Sequence, residues 1–256
     1  MRVWRGSWHL AMALLEQRSD AWFDARKGKL TASNVGASMG LCSWTSRIEA
    51  FRRMNGDSEF TGNAATAYGT ETESVAVDAY EKHCLGFPER TGERVGLTGF
   101  HTHPTQGFIG GSPDGLVCQD GMIEIKCPFW RRRDHPKGWR LHSSIPPSYY
   151  LQINTLLEVC DRQWCDFVSY CDDGMYIARV QRDPHLFNTF FPSYYAFWEA
   201  GKLGNDKPPK AQFTSKEAHE KVARSIAKSV VSVRTVDFAR EGSAGCAALA
   251  EAAKMF

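Results

Sequence analysis

No window of the 256 residues approaches the ~20 consecutive apolar side chains that a membrane-spanning helix needs. Residues 1–15 are apolar in places, yet they carry Arg2, Arg5 and His9 and lack a small-residue cleavage site, so they read as neither signal peptide nor anchor. A basic excess is also missing: 31 Lys and Arg against 29 Asp and Glu leave a net charge of +2. Global basicity therefore does not mark a nucleic-acid protein, and any DNA affinity must come from local clusters. The clearest is Arg131-Arg132-Arg133, followed by Lys137 and Arg140. The eight cysteines lack the regular spacing of a disulfide framework in a chain too long to need one, which fits a reducing cytoplasm. Cys160, Cys165 and Cys171 have no evident fourth partner and read as ordinary buried thiols, so no iron–sulfur cluster is expected. Internal repeats are absent.

What the chain does contain is SPDGLVCQDGMIEIKCP at 112–128, with Asp114 ten residues before Glu124 and Lys126 two beyond it. Two carboxylates able to share a divalent cation, beside an ammonium able to face the same scissile phosphate, are the minimum equipment for hydrolysing a phosphodiester. Alone, a D…ExK pattern arises by chance in many chains. Gly110-Gly111 before it, Asp120-Gly121 within it and the alternation after it read as two short strands joined by a hairpin.

The chemistry constrains that hairpin. With a two-residue loop at Asp120-Gly121, Asp114 pairs with Cys127 and points away from Glu124 and Lys126, and no metal site forms. With a three-residue loop at Gln119-Asp120-Gly121 and Gly121 left-handed, Asp114 lies opposite Lys126 and Leu116 opposite Glu124. Asp114 is then roughly 5 Å from Lys126 and roughly 7 Å from Glu124 at Cβ. The longer loop is the expectation.

A composition of 43% hydrophobic, 12% aromatic and 23% charged residues fits one large α/β domain with a small appendage. Helices are expected over 21–27 behind Ser19-Asp20, over 34–39 capped by Thr31 or Ser33, and over 45–54 before Asn55-Gly56. A longer one starts at Thr66 or Thr70 and ends at Cys84. On it Glu73 shares the apolar stripe of Val77, Tyr80 and Cys84. An inward carboxylate needs neutralising. Either a cation held with Asp114 and Glu124, or a first-turn cap or salt bridge, does this equally well.

Strands are expected near 93–97, 107–110, 116–118 and 122–127, followed by a basic, Trp-bearing loop over 129–144. Trp130 and Trp139 in that loop suit either base stacking or the edge of the core. A helix over 148–160, two antiparallel strands over 163–170 and 175–181, and a helix from Pro184 to about 200 complete the main domain, drawn at 1–201. Residues 202–256 change character and form a C-terminal extension of helical bias, with helices over 216–229 and 244–254 whose charges read as a solvated face.

The ordered set QRSDAWFDARKGKLTASNVG (17–36), AYGTETES (67–74), GGSPDGLV (110–117), EIKCPF (124–129) and YYLQINTLLEV (149–159) resembles the alkaline exonucleases typified by phage lambda exonuclease, within the PD-(D/E)xK nuclease superfamily. The likeness covers roughly 17–200. It implies a restriction-endonuclease-like α/β core, a central mixed β-sheet flanked by helices. It further implies two Mg²⁺ ions, with Mn²⁺ as a substitute, held by Asp114, Glu124 and the Ile125 carbonyl, with Glu73 completing a second position. Lys126 would orient the attacking water and stabilise the phosphate, and Gln152 would hold the polar network. Arg26 and Ser33, helped by Ser112, match the residues that receive the 5′-phosphate of the degraded strand. From the residues alone, Arg26 reads as a helix C-terminal charge and Ser33 as a cap. Arg132 and Arg133 are the expected DNA contacts of the basic loop, which is longer and more basic than the family pattern.

The activity implied is 5′→3′ degradation of one strand of linear duplex DNA to 5′-mononucleotides. It would leave 3′ overhangs for a single-strand annealing protein, in a homotrimeric ring in a bacterial or phage-infected cytoplasm. Two rivals stand beside it: an endonuclease using the same metal core, and a non-catalytic DNA-end binder. A pure binder has no need of a buried carboxylate cluster beside phosphate.

Overall fold

Ser19 is extended and accepts the Trp22 N–H on its hydroxyl, which starts helix α1 (Asp20–Arg26). The computed structural model describes residues 17–58, 62–85, 94–129 and 141–238. A two-residue strand β1 (Leu30–Thr31) leads directly into α2 (Ala32–Ser38). The Ser46 hydroxyl accepts the Glu49 N–H and opens α3 (Arg47–Asn55), which Gly56 closes at φ 83°. Asn63 and Thr66 form a reciprocal capping box at the head of α4 (Ala64–Tyr80), and the helix runs on into a π-helical turn, Glu81–Leu85.

Three short strands follow, β2 (His101–Thr102), β3 (Ile109–Gly111) and β4 (Gly115–Val117), then β5 (Gly121–Lys126). Pro147 at its first turn begins α5 (Pro147–Val159). The antiparallel pair β6 (Trp164–Cys171) and β7 (Gly174–Gln181) precedes α6 (Pro184–Lys202), α7 (Ser215–Ser229) and β8 (Val230–Asp237).

The strands form two mixed sheets. In the smaller, ordered β1-β3-β2, β1 runs parallel to β3 and β2 antiparallel. In the larger, ordered β4-β5-β6-β7-β8, β5 and β6 are parallel and every other pair is antiparallel. The parallel pair needs a crossover, and α5 lies within it. Alternation along β5 to β7 sends Met122, Cys165, Phe167, Ala178 and Val180 into a core shared with α2, α5, α6 and α7. The alternate residues, Ile123, Ile125, Val168, Met175 and Ile177, meet Ala76, Tyr80 and Leu85 on the other side. Helices thus cover both faces, and Glu124 and Lys126 fall on the α5 side by the same alternation.

Gly36 of α2 lies against the start of α5, where an added Cβ would stand 2.8 Å from the Ser148 Cα. No larger residue allows that approach.

Several expectations need correcting. Strands β1 and β2 are too short to leave a periodic signal, and the strand expected at 93–97 amounts, among the described residues, to the bridge Gly96↔Leu116. The helix expected at 216–229 forms as α7, and its Ala218 and Val222 are fully buried. Behind it the supposedly helical extension supplies a strand, β8, to the sheet edge. The expected helix at 244–254 lies outside the described residues. Among the described residues no helix is long and apolar enough to cross a membrane.

Candidate active site

The β4–β5 hairpin pairs Gly115 with Ile123, Leu116 with Met122 and Val117 with Gly121. Its three-residue loop is Cys118-Gln119-Asp120, one residue earlier than expected, and Cys118 takes the positive φ of 52°. Gly121 is a strand residue instead. A Cβ on it would stand 2.1 Å from the Trp164 indole, so the glycine serves ring packing and not loop geometry. Trp164 Nε1 donates to Asp120 Oδ1 at 3.2 Å and Arg162 donates to the Cys118 carbonyl at 3.2 Å, which fixes the loop where it is.

The correction moves the register by two, an even number, so the face of each residue is unchanged. Continued one pair outward, the ladder sets Asp114 across from Glu124 rather than Lys126. Asp114 Oδ2 accepts the Ile125 N–H at 2.6 Å. Glu124 Oε1 accepts from Lys126 Nζ at 2.5 Å and from Gln152 Nε2 of α5 at 2.6 Å. Glu124 Oε2 is buried and has no partner among the described residues.

These groups perturb one another strongly. Burial pushes the Asp114 carboxyl well above the usual carboxylate range and the Glu124 charge adds to it, while Lys126 opposes. Burial raises Glu124 as well, again against Lys126. Burial disfavours the Lys126 ammonium, but the Glu124 and Asp114 carboxylates outweigh it and hold the lysine above its ordinary value. Two acids reluctant to ionise, one with an idle oxygen, form an all-oxygen donor set suited to a hard divalent cation. Such a cation would supply the missing positive charge and the missing partner together.

Glu73 is placed differently. Its Oε2 pairs with Arg18 at 2.9 Å, as a salt-bridged Glu would, yet its charge still reaches the pair and raises both Asp114 and Glu124. Among the described residues no three Asp, Glu, His or Cys side chains gather into a metal cage. Asp114, Glu124, Lys126 and Gln152 are brought together, and Ile125 is tied to them through its N–H.

The second group of residues lies at the end of α1. The Arg26 guanidinium sits 4.0 Å above the Trp22 ring and 5.7 Å from that of Phe100. Burial lowers its pKa to about 10, and no carboxylate among the described residues pairs with it. Trp22 Nε1 donates to the Ser112 hydroxyl at 2.9 Å, which links Arg26 to the loop carrying Asp114. Ser33 shares a hydrogen bond with Thr31 at 3.1 Å. Thr31 and Gly110 are paired across β1 and β3, so Ser33 and Ser112, each two residues further on, follow neighbouring strand ends. Gln17 Nε2 donates to the carbonyls of Pro113 and Thr98 at 3.1 and 3.3 Å, clamping the same loop. Trp22 and Gln17 escaped the sequence reading, although the i, i+4 spacing of Trp22 and Arg26 on one short helix was a usable signal. Trp130, Arg131, Arg132, Arg133 and Trp139 lie outside the described residues. Cys160 and Cys165 are buried, and burial pushes the Cys160 thiol up to about 12.

Residues 21–163, more than half of the chain, match the sequence profile of the YqaJ-like viral recombinase domain. The chain belongs to that family. This YqaJ-like domain is 33% identical to an alkaline exonuclease of Laribacter hongkongensis, over 80% of the present chain and 99% of the other, with a TM-score of 0.57. The same enzyme in complex with dAMP gives 32% identity and a TM-score of 0.60. A phage-related exonuclease of Haemophilus somnus is 15% identical with a TM-score of 0.50 and shares the fold alone. An uncharacterized protein of Acanthamoeba polyphaga mimivirus is 27% identical over 166 residues. The chain spans 29% of that relative's length. The YqaJ-like domain thus has the nuclease fold of the alkaline exonucleases, as the five ordered motifs implied.

Proposed function

We propose that the protein is a metal-dependent DNA exonuclease that digests one strand of a linear duplex from its 5′ end, with Mg²⁺ as the natural ion. The observation that carries this reading is the Glu124 carboxylate, with one oxygen engaged by Lys126 and Gln152 and the other buried without a partner among the described residues. Asp114, Glu124 and the Ile125 carbonyl would hold the ion, and Glu73, which gives one oxygen to Arg18, would complete a second position with the other. When bound, the cation offsets phosphate charge and makes water a better nucleophile at neutral pH.

The chain's own residues do the rest. The Ile125 N–H fixes the Asp114 carboxylate, and Gln152 fixes that of Glu124, so neither rearranges as charge develops. Lys126 stays protonated beside them, and its ammonium faces the phosphate oxygens in the transition state. Arg26, without a carboxylate partner among the described residues and braced on Trp22, offers its guanidinium to the terminal 5′-phosphate with Ser112 and Ser33 at hand. The reading extends to release of 5′-mononucleotides, a 3′ single strand passed to an annealing protein, and a trimeric ring around DNA. The Laribacter relative, named an alkaline exonuclease and solved with dAMP, supports the reaction class.

The test is digestion of a 5′-phosphorylated, end-labelled linear duplex with and without Mg²⁺, beside a covalently closed circle. Mononucleotides from the linear substrate alone, only with metal, are the expected result. Cutting of the circle means an endonuclease, and binding without cutting means an end-binding protein.

A further inference from the structure

Trp44 is 59% exposed, a large ring left in solvent on the loop between α2 and α3. Its neighbours Leu41 and Cys42 pack against the core, so the loop is anchored and the indole is not. The ring centroid lies 5.3 Å from that of Tyr149, tilted by 47°. Tyr149 is held by Phe167 and His142, each 6.1 Å away, and its ring lies 5.0 Å from Lys126 Nζ. The close seat of Gly36 on Ser148 fixes how α2 meets the helix that carries Tyr149. One backed, outward indole therefore stands two rings from the lysine of the reaction centre.

Glu124 is only 1% exposed, so a phosphate must leave the surface of a duplex to reach it. Bases next to that phosphate then lose their partners and stacking neighbours. We propose that Trp44, backed by Tyr149, is a stacking platform for an unpaired base of the DNA end and thereby promotes opening of the terminal base pairs. The proposal rests on the nuclease reading above. An indole accepts any base by its face, so the platform fits digestion without sequence preference.

The test compares wild type, Trp44→Ala and Trp44→Phe on a 5′-phosphorylated blunt duplex and on the same duplex with its last two pairs mismatched. Trp44→Ala should slow digestion of the paired end roughly tenfold, the lower part of what one lost base stack costs, and slow the mismatched end far less. Trp44→Phe should recover most of the rate. In Ca²⁺, a terminal 2-aminopurine should be quenched on binding to wild type and remain bright with Trp44→Ala. Equal slowing on both ends, no slowing, or equal quenching overturns the platform. If wild type digests neither duplex, the nuclease reading fails, and the quenching comparison still decides the role of Trp44.

Discussion

The Arg18 guanidinium lies 2.9 Å from Glu73 Oε2, joining the turn before α1 to the side of α4. Arg18 holds a φ of 73°, a left-handed conformation that costs a non-glycine residue about 1 kcal/mol or more. The pair is half in solvent, so its own contribution to stability is small, about 0–1 kcal/mol. On the proposed reading its effect on ion binding would be larger, because a guanidinium competes with a metal for the same carboxylate. Arg18→Ala should leave the melting temperature nearly unchanged and tighten Ca²⁺ binding severalfold by calorimetry. An unaltered affinity would place Glu73 outside the ion's reach.

Lys126→Ala removes the ammonium that Glu124 holds at 2.5 Å. Loss of one preorganised positive donor at a developing charge costs roughly a hundredfold to a thousandfold in rate. Cleavage should fall by at least that much, while binding of duplex ends in Ca²⁺, followed by fluorescence anisotropy, persists. Turnover like that of wild type would remove Lys126 from the mechanism.

The raised pKa values of Asp114 and Glu124 carry a sign. A carboxyl whose folded value lies above its unfolded value, about 4, stabilises the fold fully below that pH and loses the contribution as pH rises through the folded value. In chelator, the melting temperature of wild type minus that of Glu124→Gln should therefore fall as pH rises above the unfolded value of about 4. Added Ca²⁺ should reverse the trend, because a cation favours the ionised pair.

Arg26 is a half-buried cation with no acidic partner among the described residues, a costly arrangement unless a ligand uses it. Arg26→Ala should leave stability within about 1 kcal/mol of wild type, since relief of the buried charge offsets the lost ring contact. It should also abolish the rate advantage of 5′-phosphate over 5′-hydroxyl ends. Arg26→Lys should recover that advantage only in part, because an ammonium does not grip two oxygens at once.

Gly121→Ala drives a methyl group into the Trp164 ring, which sits 2.1 Å from where that Cβ would be. A loss of about 1–3 kcal/mol in denaturant unfolding is expected, as for other overpacked sites. Gly121 also shows where the sequence was misleading. Asp-Gly within a hairpin reads as left-handed loop chemistry, but the glycine was fixed by a tryptophan 43 residues away, and Cys118 took the strained position. That long-range cause left no local trace. The parity of Asp114 and Glu124 was legible because period-two alternation survives a shift by two. The cap of α1 was legible, because Ser19 places a hydroxyl where the structure uses it, whereas Thr31, expected with Ser33 as a cap of α2, makes no side-chain capping bond. Strands of two residues were not, nor was β8, whose exposed Val231 and Val233 mix with polar neighbours. The link from Trp22 to Ser112 spans 90 residues and only the fold reveals it.

The seat of Gly36 on Ser148 has a further consequence. It seats the helix bearing Ser33 closely on the helix bearing Gln152, so the proposed grip on a strand's terminus and the proposed point of scission would keep a fixed spacing. A tool with fixed jaws and a fixed blade removes the same length at every stroke. Widening the gap with Gly36→Ala should blur that measure, yielding dinucleotides among the products of digestion.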